Sequence, residues 1–312
     1  IAAICCVLKA RSWLAPSTPM SPLSSVQLRA LTAVQLDALG TDQMAALGVS
    51  GLASLSTAQV ASLGTDQINA LGATQIAALT TAQVNALITT QLVALESADL
   101  AALTTQQVRA LSSAGLAALD STDLAAMGTA QIAALSSTQL PALSAGDLAG
   151  LDADRLGALG SAQIARLTTA QLDALSDTQL NDLGSAQLRG LTTAQMAALS
   201  TSDLNILTTD QFRTLSSAQI AALSTVQVAS LASEDLAALT SQQLRSLGSA
   251  AVAALDSSDI EALSATQIAG MSSAQLRAIA TAALAGLDAT QLGTSQVAAL
   301  TTTQLDALSS DQ

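Results

Sequence analysis

The residues able to do chemistry in this 312-residue chain are Ser, Thr, Asp and two cysteines, and none has the partners that catalysis needs. A Ser or Thr nucleophile needs a base to take its proton. The chain has no His, and its single Lys, Lys9, lies in the first few residues, before the regular part of the sequence begins. Asp residues are plentiful, but the Gly-Gly-x-Gly-x-Asp loop of calcium-binding β-rolls does not occur. Cys5 and Cys6 are adjacent within a short apolar run. Two neighbouring thiols give neither a disulfide framework nor a metal-ligand spacing, and an inert pair is the simpler reading than a lipid or redox role. The sequence therefore predicts no catalytic, cofactor-binding or metal-ligating residue, no cofactor and no small-molecule substrate. The Ser, Thr and Asp residues must serve the backbone instead.

Their spacing shows how. From Leu23 to Leu287 the chain repeats every eight residues without a gap, as in Leu71-Gly-Ala-Thr-Gln-Ile-Ala-Ala followed by Leu79-Thr-Thr-Ala-Gln-Val-Asn-Ala. Every unit starts with Leu except for Met127, Met271 and Ile279. Counting the unit from 1 to 8, position 2 is Thr, Ser, Gly or Asp, with exceptions such as Ile88, Glu96, Ala232 and Ala280. Position 5 is Gln or often Asp, position 6 is Leu, Ile or Val, and position 8 is usually Ala. Ser/Thr-x-x-Gln is a capping box: the hydroxyl accepts from the amide three residues on, and the Gln side chain reaches back to the cap amide. Asp at position 5 (Asp99, Asp123, Asp259) suits the positive end of a helix. The remaining residues are strong helix formers.

A continuous helix would not work. Eight residues advance roughly 800°, so the apolar stripe would rotate by about 80° per unit and bury nothing. Each unit is therefore expected to be about two turns of capped helix and a sharp bend. Gly at position 2 (Gly40, Gly64, Gly184) is expected to end the preceding helix in a left-handed turn. Positions 6 and 1 share one face, about 60° apart. Position 7 points away and carries Arg29, Arg109, Arg189, Arg213, Arg245 and Arg277, with Asp37 and Asp173. Helices this short are unstable alone and must stack. The predicted fold is all-α: an α-solenoid, or superhelix, of very short capped helices, with a β-solenoid as the alternative. The Gln column can serve the local capping box, a ladder between superhelical turns, or both. Pro141, inside a unit, and Gly51 and Gly115, in place of Gln, predict poorer local order.

Two regions follow: an irregular leader over 1–22, ending in the Pro-rich Ala15 to Pro22 linker, and a repeat solenoid over 23–312. The leader's apolar run is too short to span a bilayer, and Lys9 and Arg11 follow it, where a secretory signal would have them in front. After Leu287 the phase slips by three residues. The net charge is -13 and the chain has no Tyr, one Trp and one Phe. An acidic chain with no basic stripe of phosphate-neutralising residues disfavours nucleic-acid binding and docking on anionic membranes. The apolar residues are spread evenly, as in many small identical cores rather than one large one.

Leu79-Thr-Thr-Ala-Gln-Val-Asn-Ala-Leu87 and Leu191-Thr-Thr-Ala-Gln-Met-Ala-Ala-Leu199 resemble the Leu-Thr-Thr-x-Gln-Val/Ile-x-Ala octapeptide repeats of large bacterial secreted and surface adhesin-like proteins. Such proteins are also loosely labelled as haem-utilisation proteins, a label that a chain without His or Tyr does not support. The unit also resembles the first helix of the DNA-reading repeats of TAL effectors. It lacks their second helix, longer period and basic residues. The resemblance implies an extracellular or cell-surface structural repeat region: a stalk, spacer or filament segment that is not an enzyme. Its expected partner is another copy of itself or a surface protein. The second reading is a protein-interaction solenoid that binds a partner through its position-7 residues.

Overall fold

A computed structural model of the chain describes residues 24–309; the leader, with Cys5 and Cys6, lies outside the described residues. Among the described residues there is no strand, so the β-solenoid is excluded. Short helices follow one another in the eight-residue register, among them Thr57–Ala61, Thr81–Asn85, Thr193–Ala198 and Thr209–Thr214. They run for four to six residues, one to one and a half turns rather than two. The difference lies in the bend, which takes two extended residues: Leu191 at φ -60, ψ 130 and then Thr192 at φ -73, ψ 160.

This bend corrects the expectation for glycine. Gly40, Gly64 and Gly184 have φ of -72, -70 and -72, and no described residue has positive φ. Position 2 is an extended N-cap that any L-residue can adopt. Ser, Thr and Asp share the position with Gly because the cap hydrogen bond favours them there. In a typical box the Thr192 hydroxyl accepts from the Gln195 amide at 3.2 Å and Gln195 Oε1 accepts from the Thr192 amide at 2.7 Å. Where position 2 has no cap side chain, the second half survives: Gln91 Oε1 still accepts from the Ile88 amide at 3.0 Å. Ile88 is half exposed, so its own burial contributes little. Replacing Ile88 with Thr completes the box and should stabilise the chain by about 1 kcal/mol. A rise in thermal midpoint checks this, and an unchanged midpoint would deny the hydroxyl a capping role.

The core is the stripe formed by positions 6 and 1. Leu188 and Leu191, Phe212 and Leu215, and Leu244 and Leu247 are all buried, position 6 completely. The one Phe of the chain occupies a position-6 site. Small residues at position 8 allow successive turns to touch: a Cβ on Gly286 would lie 1.9 Å from the Ser257 carbonyl oxygen.

The described residues form two compact units, divided between Ala158 and Leu159. Inside each, the helices coil so that a residue meets others some 25 to 31 positions away. In the first unit Gln83 Nε2 donates to the carbonyls of Leu52 (2.9 Å) and Leu55 (2.8 Å), 31 and 28 residues back. In the second, Gln219 Nε2 donates to those of Leu188 (2.6 Å) and Leu191 (2.8 Å), at the same separations. One turn of coil thus takes about three and a half eight-residue repeats.

Irregular units keep this scheme at a local cost. Around Pro141 the α-helix is replaced by a 3-10 turn, Leu140–Ala142. At Gly115 the helix shortens to Ser113–Leu116, and Leu92 Cδ1 fills the space a side chain would take, 2.3 Å from an ideal Cβ. At Gly51 the helix Val49–Ala53 keeps its ordinary length. The three residues missing after Leu287 are absorbed within the turn. Gln304 Nε2 reaches Leu276 O and Ile279 O (2.9 Å each), now 28 and 25 residues back. Each ladder distance drops by three, but the acceptors are still positions 6 and 1.

Candidate functional site: the glutamine ladder and the charged faces

The position-5 glutamines are the most highly organised polar groups in the molecule. One side chain does two jobs: Oε1 closes its own helix's capping box, and Nε2 ties that helix to the turn beneath. Gln243 Oε1 accepts from the Thr240 amide at 2.7 Å, while its Nε2 donates to Phe212 O (2.9 Å) and Leu215 O (2.7 Å). Gln243 is buried, and no buried side-chain N or O among the described residues lacks a partner. The acceptors also receive ordinary backbone bonds, Leu215 N donating to Phe212 O, so the ladder uses the second lone pair of each carbonyl. Gln27, Gln35 and Gln43, in the first described turn, use Oε1 for their own N-cap amides at 2.9, 3.0 and 3.1 Å.

Arg155 stands at position 5 in place of Gln and performs the same task. Its Nε donates to Met127 O, 28 residues back, at 2.7 Å, its Nη2 to Ala125 O, and its Nη1 pairs with Asp152 at the N-cap. A planar guanidinium with several N–H donors can substitute for a carboxamide here.

Asp at position 5 can close the cap but, when ionised, cannot donate to the turn beneath. Asp99, Asp235 and Asp259 are buried. Asp259 Oδ2 accepts from the Asp256 amide (3.1 Å) and Oδ1 from the Ser233 hydroxyl of the preceding turn (2.8 Å). Burial raises the Asp99 carboxyl above the usual range, opposed by a hydrogen bond from the Glu96 backbone. Burial also raises Asp123. Burial and the nearby Glu234 charge push Asp235 up to about 6. On the surface, hydrogen bonds from the Thr290 hydroxyl and amide hold Asp288 below the usual range.

Position 7 faces outward as expected: Arg29, Arg109, Arg189, Arg213, Arg245, Arg277, Asp37 and Asp173 are all exposed. Several of these arginines also bond the turn above. The Nε of Arg29, Arg109 and Arg189 donates to Ser54 O (3.0 Å), Ala134 O (3.3 Å) and Thr214 O (3.0 Å), each 25 residues on. Arg277 Nε reaches Ala299 O at 2.9 Å, 22 residues on, the same three-residue shift. Sequence reasoning placed these side chains correctly but missed the bonds, because the carbonyls they meet belong to a different turn.

No described residues converge on a reactive centre. Ser and Thr at position 2 are spent on capping, and no group of three or more His, Cys, Asp or Glu among the described residues can hold a metal ion. A shallow cleft in the first unit is lined by Asp37, Thr41, Thr65 and Asp66, and another in the second by Glu261, Gly286, Asp288 and Ser309. Each contains carboxylates and hydroxyls, with no base or cation opposite. Among the described residues no helix is long and apolar enough to cross a membrane.

These features define an α-helical repeat protein built from octapeptide units. The chain belongs to the ALTTAQ repeat family, which matches it in tandem over 20–49, 50–81, 68–97, 92–122, 116–153, 164–201, 196–233, 228–265 and 252–289. No curated protein matches it. Among solved structures, the leucine-rich repeat-containing protein LegL7 from Legionella pneumophila is 13% identical, over 88% of this chain and 83% of that one, with a TM-score of 0.17. Superposition that poor carries no argument about fold or function.

Proposed function

We propose that this chain is a non-enzymatic structural repeat region, a stalk, spacer or filament segment of a secreted or cell-surface bacterial protein. The observation that carries this reading is how the polar residues are used. The hydroxyls cap helices, the glutamines tie turns together, and what varies from unit to unit lies on the outside without gathering into a site. Such a molecule transmits position and load along its length, and its stability is a sum of near-identical repeat and interface terms. Its acidic, Cys-free repeats and the resemblance to adhesin-like arrays support the surface assignment.

The location is tested on intact cells of the source organism. An antibody against residues 159–309 should label the surface, and external protease should remove the label while a cytosolic marker survives. Label that persists until the cells are lysed would overturn the surface assignment.

A further inference from the structure

The glutamine ladder of the first unit has a gap. Gln107, Gln131 and Gln139 are intact rungs. Their Nε2 atoms donate to Ile76 O and Leu79 O at 2.9 and 2.8 Å, to Leu100 O and Leu103 O at 2.9 and 2.6 Å, and to Val108 O and Leu111 O at 2.9 and 2.8 Å. Between Gln107 and Gln131 stand Gly115, with no side chain, and Asp123, whose carboxylate accepts from its own cap amide at 3.2 Å and, when ionised, donates nothing. A Gln at these two places would reach Val84 O and Leu87 O, and Leu92 O and Leu95 O. Among the described residues no side chain donates to any of the four. The next lost rung is Asp147, and Arg155 then ends the gap with its bond to Met127 O at 2.7 Å.

The spacing puts intact and lost rungs on opposite sides. A turn takes about three and a half repeats, so residues three or four repeats apart return to nearly the same side. Gln131 and Gln139 come three and four repeats after Gln107, so the intact rungs stand together. Gly115 and Asp123 fall on the other side, and Asp147, four repeats after the one and three after the other, returns between them. Asp99, three repeats before Asp123, belongs to that side as well. There the turns meet through the apolar stripe, where Leu92, Leu95, Leu116, Leu119 and Leu124 are buried. The same exceptions recur in the second unit. Seventeen repeats after Asp99, Gly115, Asp123 and Asp147 come Asp235, Ala251, Asp259 and Ala283, and seventeen after the intact rungs come Gln243, Gln267 and Gln275. Those three again bond the turn beneath. Random losses would not repeat place for place. In the second unit the Ser233 hydroxyl bonds Asp259 at 2.8 Å, so the first unit has the freer gap.

We propose that the first unit carries a hinge here. The turns gape and close on the side of Gly115, Asp123 and Asp147, and they pivot on the rungs of Gln107, Gln131 and Gln139. Local opening follows the stretch with the fewest bonds. Apolar burial keeps the turns together but is non-directional, so it does not fix their spacing as a pair of aligned hydrogen bonds does. The capping boxes lie within single helices, so the hinge moves without melting a helix. A stalk with such a hinge yields to sideways load by flexing at one place. This rests on the structural-repeat reading and adds to it the place where the region bends.

Distances between paired spin labels on the full chain, measured by pulsed electron resonance, test this. Cys5 and Cys6 are changed to Ser so that only introduced cysteines carry labels. Val93→Cys/Ala125→Cys spans the lost rung at Asp123, and Ala101→Cys/Ala133→Cys spans the intact rung at Gln131; all four positions are exposed. The first pair should give a broad distribution with a tail to long distances, and the second a narrow one. Asp123→Gln supplies a donor for Leu92 O and Leu95 O. It should remove the tail from the first pair and leave the second unchanged. Gln131→Glu runs the test in reverse and serves if Asp123→Gln does not fold: it keeps the cap acceptor, loses the donor and should give the second pair a tail. Equally narrow distributions for the two pairs, or a tail that Asp123→Gln leaves in place, would overturn the hinge. Either result would leave the structural-repeat reading standing, because that reading is tested separately by surface labelling.

Discussion

Gln219→Ala should be among the most damaging single changes in the chain, costing about 2–4 kcal/mol in urea unfolding. The side chain makes three hydrogen bonds: Oε1 accepts from the Ser216 amide at 2.7 Å, and Nε2 donates to Leu188 O at 2.6 Å and Leu191 O at 2.8 Å. Each is worth about 1 kcal/mol net, and burial adds the cost of an amide left without its acceptor. Two of the bonds hold separate turns together, so the loss falls on the coupling between repeats, on which an array of short helices depends. Gln219→Met keeps the length and apolar stem and should recover only the packing part. If Met restores full stability, the column fills space and the ladder bonds contribute nothing.

The acidic rungs behave in the opposite sense. Asp235→Gln should stabilise the chain, and the wild type should gain stability as pH falls from about 7 to about 5. Asp235 is buried at position 5 behind Ala232, an N-cap with no hydroxyl. Burial first, and the Glu234 charge second, raise its carboxyl to about 6 from an ordinary 3.8. The folded chain therefore holds a proton that the unfolded chain has released over this range. A raised carboxyl makes folding take up a proton, so stability grows as pH drops through the folded value and levels off below the unfolded one. Water near the coil surface screens the charge, which brings the gain from Asp235 to about 1 kcal/mol. Asp99, shifted in the same direction, should add to the slope. Gln at 235 replaces the charge with a donor aimed at the turn beneath and should flatten the pH dependence. A wild type whose stability falls between pH 7 and pH 5, or an Asp235→Gln variant with the same slope, would contradict the assignment.

How far the fold could be read from sequence follows from the range of each interaction. The capping boxes, the buried stripe of positions 6 and 1 and the outward position 7 are local, set within eight residues, and Thr192, Gln195, Leu188 and Arg213 sit where their spacing puts them. The ladder was legible only as one of two uses for Gln, and its span of 28 to 31 residues was not legible at all. Closure of a coil sums small dihedral increments over several bends, and no single unit encodes it. Residues whose role depends on the next turn were misread or missed for the same reason. Asp235 is a buried carboxylate in the glutamine column and Arg155 a ladder donor, and the octapeptide pattern singled out neither. The glycines were misassigned on local grounds: Gly64 and Gly184 occupy an extended cap, not a left-handed one.

Hydrogen–deuterium exchange on the wild type and Gln219→Ala tests most directly whether bonds between turns hold the array together. Slow exchange is expected throughout the repeats of the wild type. In the variant, exchange should accelerate at the Ser216 cap and also around Leu188 to Thr192, far away in sequence but directly beneath in the coil. Acceleration confined to the residues around 216–223, with the segment around 188–192 unchanged, would show that each helix stands on its own capping box and that the ladder does not couple the turns.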